Sequence, residues 1–173
     1  LMNLINAILD LSTIEAGYMT IVKEPVEVVT MLTALFDLTQ EWARGQKIEV
    51  AISVADDIGE AALDERRIKQ ALLNLIRNAI AYTPAGGRIK LTAEKRGGEL
   101  ALAVIDTGPG ISAEDQARIF KPFEKTAQHR EEGRAGAGLG LSLVQNIVTL
   151  HGGSIELKSA LGEGTEITLF LPV

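Results

Sequence analysis

Asn74-Leu-Ile-Arg-Asn78, followed by Asp106-Thr-Gly-Pro-Gly110 and then by Gly136-Ala-Gly-Leu-Gly-Leu141, is the ordered set whose reading decides the fold. Asn74 and Asn78 are spaced i,i+4, so on a helix they project from one face. Asparagine is a mediocre helix former, and two in mid-helix need a reason. One reading is a solvated polar pair; the other is amide oxygens offered to Mg²⁺, a hard cation that prefers oxygen ligands and keeps waters and phosphates in its shell. Asp106 closes an apolar run of Leu100, Leu102, Val104 and Ile105. Either it makes a plain strand-end turn, or its carboxylate accepts from the exocyclic amine of a base, with Gly108 letting the backbone come close. Gly136, Gly138 and Gly140 lead into a helix, whose free N–H groups and dipole favour an anion such as phosphate. In that order the three pieces spell a nucleotide site. It is not a P-loop, because no G-x-x-x-x-G-K-[ST] occurs in the chain.

Working outward, the segment around Asn74 and Asn78 predicts a helix over 65–81, started by Asp64, with Ile68, Leu72, Leu75, Ile76 and Ala79 on its apolar face. After the Gly86-Gly87 turn, strands are expected at 88–96 and 99–106, joined by a Gly97-Gly98 hairpin. A short helix over 112–119 is capped by Ser112. Residues 121–137 are polar and lack apolar periodicity, the mark of a mobile functional loop. A helix over 139–150 and strands over 153–159 and 165–171, turning around Gly162 and Gly164, complete this half.

Toward the N-terminus, Leu1, Leu4, Ile8 and Leu11 recur at helical spacing, widened by Ile5, and Gly17 ends the pattern. A helix this short is marginal alone, so residues 1–16 either lie on the domain's own surface or, the favoured reading, belong to a helical bundle or coiled coil. The pattern is already running at Leu1, which reads as a segment of a longer protein. Residues 18–29 look extended, with Pro25 discouraging helix and Val26, Val28 and Val29 favouring strand. A helix over 30–45, carrying Met31, Leu32, Leu35, Leu38 and Trp42 and closed by Gly45, precedes a strand over 47–54. The expected fold is a two-layer α/β sandwich, with a mixed sheet on one side and helices on the other.

Composition narrows the function. The chain has 173 residues, 46% hydrophobic and 23% charged, the balance of one folded domain with a small appendage. A net charge of -6 argues against nucleic acid or an anionic membrane surface as a partner. There are no cysteines, which excludes disulfides, thiolate zinc sites and Cys nucleophiles and fits a reducing cytoplasm. Neither His129 nor His151 has metal-ligand spacing, and no G-x-S-x-G elbow supports a serine hydrolase. His151, before Gly152-Gly153, reads as a good helix C-terminal residue. No apolar run reaches the ~20 residues of a membrane span.

These residues resemble the catalytic, ATP-binding domain of a sensor histidine kinase of the GHKL type. Asn74–Asn78 resembles the N box, Asp106-Thr-Gly-Pro-Gly-Ile111 the first glycine box and Phe120-Lys-Pro-Phe123 the F box. Gly136-Ala-Gly-Leu-Gly-Leu141 matches the second glycine box, and Gly162-Glu-Gly-Thr165 the last. Residues 1–22 are similar to the end of the family's dimerisation and phosphotransfer hairpin with its linker, and 23–173 to the catalytic domain. The resemblance implies a Bergerat fold binding ATP and Mg²⁺. Asp106 would hold the adenine amine, and Asn78, assisted by Asn74, the metal. Tyr82 would pack beside the nucleotide, Thr165 would lie near the base, and 121–137 would be the lid. Gly108, Gly110, Lys125, Gly136, Gly138, Leu139 and Gly140 complete the implied nucleotide contacts.

ATP-hydrolysing branches of the superfamily tend to carry Glu, a general base for water, where Asn74 stands. Its absence favours handing the γ-phosphoryl group to another acceptor. The implied acceptor is a histidine on an upstream helix, in a homodimer built through the N-terminal helix, with onward transfer to a response regulator. A cytoplasmic location is implied, with a membrane reached only through upstream segments. The sequence departs from the pattern at Ala81, where a Lys or Arg is usual, and at Ala137, where Thr or Ser is usual. Lys125, Arg130 or Arg134 would then supply the cation. The second reading left open is a kinase-like scaffold that signals through conformation and partner binding with weak or no nucleotide binding.

Overall fold

The computed structural model describes residues 2–15, 17–122, 124 and 140–173. Helix α1 (Met2–Glu15) leads through an irregular linker to a short strand, β1 (Glu24–Glu27). Helix α2 (Val28–Arg44) and strands β2 (Glu49–Val54) and β3 (Glu60–Leu63) follow, then helix α3 (Glu65–Tyr82). The hairpin of β4 (Arg88–Arg96) and β5 (Glu99–Asp106) comes next, then one turn of helix, α4 (Ala113–Gln116). Helix α5 (Gly140–Leu150) and the hairpin of β6 (Ser154–Ala160) and β7 (Gly164–Pro172) end the chain.

Five strands form the main sheet in the order β2-β4-β5-β7-β6, and β1 and β3 pair apart from it. Among the described residues only β2 and β4 run parallel; the other pairs are antiparallel. Helix α3 packs between α2 and α5, and these helices cover one face. This is the expected two-layer sandwich.

Register explains the core. Leu91, Val104, Ile167 and Leu157 lie opposite one another across four strands, as do Ala93, Leu102, Leu169 and Ile155 one pleat further on. Directly opposed residues of paired strands share a face, so these rows form the helix-facing surface. Helix α3 meets them with Ile68, Leu72 and Ile76, all essentially inaccessible to water. Each such side chain contributes ~1.5–3 kcal/mol through burial.

Three local expectations need correction. Val28 and Val29 are helical, not extended, because Glu27 caps α2: its carboxylate accepts from the Thr30 backbone N–H at 2.7 Å. Beta-branched residues lose to a satisfied cap. Gly45 closes α2 as expected, with an ordinary φ of -66°, and the left-handed residue that follows is Lys47 at φ 55°. The strand β3 was not expected; Glu60-Ala-Ala-Leu63 carries helix-favouring residues, and only its pairing with β1 makes it extended. The helix over 112–119 is the single turn α4, capped as expected by Ser112, which accepts from Asp115 N–H at 3.2 Å.

Helix α1 leaves Met2, Ile5, Ile8 and Leu9 exposed. Leu1, and the side chains of Leu4 and Leu11 in the expected stripe, lie outside the described residues. A polar contact ties the helix down: Gln70 donates to Asp10 at 2.8 Å, and Arg67 approaches Asp10 at 3.5 Å.

Candidate functional site

At one end of the sheet the helix-facing surface turns polar. The last row reads Ile89 on β4, Asp106 on β5, Thr165 on β7 and Ser159 on β6. Three oxygen-bearing residues stand here, where the next two rows are apolar throughout, so this end cannot pack as plain core.

Asp106 is its centre. Its Oδ1 accepts from Gly108 N–H at 2.8 Å, and Thr165 supplies a second backbone N–H to the carboxylate. Burial pushes the carboxyl above its ordinary range, and the two N–H bonds oppose that rise. The result is a desolvated acceptor held in one orientation. A Cβ on Gly108 would stand 2.8 Å from Asp106 Oδ1 and 3.4 Å from the Tyr82 carbonyl oxygen, so glycine is needed there. Gly110, at φ 75°, lies so close to Ala160 that an added Cβ would fall 1.9 Å from its carbonyl oxygen.

Helix α3 carries the asparagines. Asn74 and Asn78 are both half-buried. The Asn74 carboxamide lies against the first residue of α5: a Cβ on Gly140 would be 3.8 Å from its Oδ1. Tyr82, at the end of the same helix, is half-buried with its carbonyl beside Gly108. The structure therefore joins Asn74 to Gly140, and Tyr82 to Gly108 and Asp106, within the C-terminal half of α3. Thr165 sits across from Asp106, as the register requires.

Lys125, Gly136, Gly138 and Leu139, together with Phe123, His129, Arg130, Arg134, Ala137 and most of the expected 121–137 loop, lie outside the described residues. Ala81 is exposed. The Arg77 guanidinium, inside the Asn74–Asn78 segment, stacks over Trp42 at 5.3 Å from the ring centroid and is thus engaged with α2. Phe120 lines a separate cleft of about 370 Å³ with Val148, Thr149 and Ile155, at the other end of β6 from Ser159.

His151 is more than a helix-ending residue. It is 2% exposed, its Nδ1 lies 2.8 Å from the Ile147 carbonyl oxygen, and its Nε2 accepts from Asp64 N–H at 3.1 Å. Burial holds its pKa below the ordinary value.

Sequence reasoning missed Ser159 and Gln116. The Ser159 hydroxyl accepts from Ile111 N–H at 2.8 Å and contacts both Gly164 O at 2.8 Å and Thr165 Oγ1 at 2.9 Å. Gln116 Nε2 donates to Ile111 O at 2.7 Å and Ser159 O at 2.9 Å. Symmetry of the β6–β7 hairpin about Gly162 was the available signal, since it sets Ser159 opposite Thr165.

Known proteins share this fold. Residues 63–173 match the family described as histidine kinase-, DNA gyrase B- and HSP90-like ATPase. An uncharacterized sensor-like histidine kinase of Rhizobium meliloti is 37% identical over 99% of this chain and 33% of its own length. Histidine protein kinase DivJ of Caulobacter vibrioides is 36% identical over 100% of this chain and 29% of its own. The chain thus spans about a third of the length of these relatives. Among solved structures, full-length ShkA in complex with AMPPNP superposes with a TM-score of 0.88 at 32% identity, over 98% of this chain and 35% of that one. The catalytic domain of histidine kinase ThkA gives 0.74 at 28% identity, over 87% and 95%. The chain belongs to the histidine kinase-, DNA gyrase B- and HSP90-like ATPase family, as a catalytic domain of the sensor histidine kinase type.

Proposed function

We propose that this chain is the Mg-ATP-binding catalytic domain of a two-component sensor histidine kinase, donating the γ-phosphoryl group of ATP to a histidine on a helix of the longer protein. The observation that carries the reading is the Asp106 carboxylate, half-buried at the polar end of the sheet and oriented by the N–H groups of Gly108 and Thr165. A desolvated carboxylate with no cation beside it among the described residues matches a neutral hydrogen-bond donor such as the adenine amine. The backbone around Gly108 and Gly110 is packed too closely for side chains, against Asp106 and Ala160, which fixes the turn that carries the carboxylate.

Asn78, with Asn74, would offer amide oxygens to Mg²⁺, which screens phosphate charge during transfer. No group of three His, Cys, Asp or Glu side chains able to hold a metal exists among the described residues. The metal would therefore rely on the asparagines, phosphates and water. An amide takes no proton at neutral pH, so Asn74 positions rather than activates water, which favours transfer over hydrolysis. Tyr82, Thr165, Gly110 and Gly140 would line the nucleotide, with Lys125, Gly136, Gly138 and Leu139 as the lid-side contacts.

Residues 1–22 would be the tail of the dimerisation helix and its linker, and 23–173 the catalytic domain. The exposed Ile5 and Ile8 of α1 support a homodimer seam there. A response regulator would be the onward acceptor, in the cytoplasm. No helix among the described residues is long and apolar enough to cross a membrane. Calorimetric titration of ATP and ADP with and without Mg²⁺, on the wild type, Asp106→Asn and Asn78→Ala, tests the site. Magnesium-dependent binding lost in both variants is expected; equal binding by all three refutes the assignment.

A further inference from the structure

A hydroxyl group owns one proton and two acceptor lone pairs, and at Ser159 all three are committed. Ile111 N–H points at Oγ, and a backbone N–H can only donate, so one lone pair is taken. Gly164 O, 2.8 Å away, can only accept, so it takes the Ser159 proton. The remaining contact is Thr165 Oγ1 at 2.9 Å, and Ser159 has only a lone pair left to offer it. The Thr165 hydroxyl must therefore donate to Ser159. Its own proton is spent, and what it turns to the site is acceptor lone pairs alone. Gln116 fixes this arrangement by tying Ile111 O and Ser159 O together.

We propose that Ser159 is a positioning residue for base recognition: it sets the polarity of the Thr165 hydroxyl, so that the Asp106–Thr165 row presents only hydrogen-bond acceptors. The inference rests on the nucleotide site proposed above and deepens it. An acceptor-only wall suits a purine bearing an amine at its 6-position, directly or through the water that solvates it. It opposes a 6-oxo purine, whose carbonyl would face lone pairs with no proton between them. Ser159 touches no ligand in this scheme; it acts through Thr165.

The test is the ratio of dissociation constants for ATP and inosine triphosphate, measured by calorimetry with Mg²⁺ on the wild type, Ser159→Ala, Ser159→Thr, Thr165→Val and the Ser159→Ala/Thr165→Val double variant. Melting temperatures are recorded in parallel. In Ser159→Ala the freed Thr165 hydroxyl can turn and donate to the 6-oxo group, so the preference for ATP falls about tenfold. Ser159→Thr restores the hydroxyl and with it the preference. In the Thr165→Val background, Ser159→Ala no longer changes the ratio, because the group it acts through is gone. A wild type that prefers ATP while Ser159→Ala weakens both nucleotides equally overturns the inference and leaves Ser159 a structural residue. A wild type that binds neither nucleotide overturns the proposed function itself, and the inference with it.

Discussion

The backbone N–H of Asp64 donates to Nε2 of His151 over 3.1 Å, joining the first residue before α3 to the end of α5. Because Nε2 accepts, the ring proton is on Nδ1, where it meets the Ile147 carbonyl oxygen at 2.8 Å. The imidazole is thus neutral with both nitrogens used. A protonated ring would set an N–H against the Asp64 N–H and cost that bond. Burial is the main reason its pKa is depressed; Lys23 nearby also lowers it, while the Ile147 bond and the Asp64 carboxylate oppose the shift.

Stability should therefore fall in mild acid through this one ring. In the unfolded chain the imidazole titrates near 6.5, and in the folded chain below that. Between the two values the unfolded state binds more protons, so stability is fully present above the unfolded pKa and declines as pH falls toward the folded one. The slope from one such group is at most ~1.4 kcal/mol per pH unit. Urea midpoints measured from pH 7.5 downward should drop more steeply for the wild type than for His151→Gln. Parallel profiles would contradict the neutral assignment.

Asp64 works on the same junction with its carboxylate. Oδ1 accepts from Arg67 N–H at 3.1 Å, capping α3, and Oδ2 accepts from Val22 N–H at 3.0 Å, holding the linker that leaves α1. Asp64→Ala removes both acceptors and should cost ~1–2 kcal/mol, the upper part of the range for a lost cap. Hydrogen exchange separates the two roles: protection should fall at Val22 as well as in the first turn of α3. Unchanged exchange at Val22 would mean that the linker is held by other contacts.

Asp106 predicts a conflict between stability and binding. Its pKa is raised chiefly by burial, so the folded state holds a proton more firmly than the unfolded one. The stability linked to this group is present below the unfolded pKa and is lost as pH rises through the folded one. At neutral pH the ionised carboxylate thus burdens the ligand-free domain. Asp106→Asn keeps an acceptor oxygen for Gly108 N–H and removes the charge. Its melting temperature at pH 7 should equal or exceed that of the wild type, while ATP binding is lost. A clear drop in melting temperature would show that the two N–H bonds outweigh desolvation.

Periodicity and glycine punctuation carried most of this fold. The apolar face of 65–81, the glycine run that leads into 139–150 and the Gly97-Gly98 hairpin are local signals, and the elements they announce lie within a residue or two of α3, α5, β4 and β5. Where the signal is not local, sequence reading failed. Glu60–Leu63 is a strand because β1 lies beside it, and nothing within those four residues says so. Val28 and Val29 favour strand by shape, yet the Glu27 carboxylate starts a helix there. The site divides the same way. Asp106, Gly108 and Gly110 stand in a recognisable run, whereas Ser159 gains its role only once register sets it opposite Thr165. His151 was undervalued because its partner, Asp64, lies 87 residues away in sequence.

Two glycines of one hairpin should respond very differently to the same substitution. Gly162 and Gly164 have nearly the same left-handed backbone, φ 82° and 85°. A Cβ on Gly162 meets nothing within 4 Å, so Gly162→Ala incurs only the left-handed strain, about 1 kcal/mol. A Cβ on Gly164 would fall 2.1 Å from the carbonyl oxygen of Asp106, a backbone atom of β5 that two neighbouring strands hold in place. Relief requires parting β7 from β5 at the row that carries Asp106 and Thr165. Gly164→Ala should therefore cost roughly 3 kcal/mol or more, and nucleotide affinity should fall with it, because Thr165 N–H is drawn away from the Asp106 carboxylate. Urea denaturation of both variants reads the first effect and calorimetry with ATP the second. Equal costs at the two positions would mean that the β5–β7 contact yields easily, and the rigidity of the Asp106–Thr165 end of the site would have to be given up.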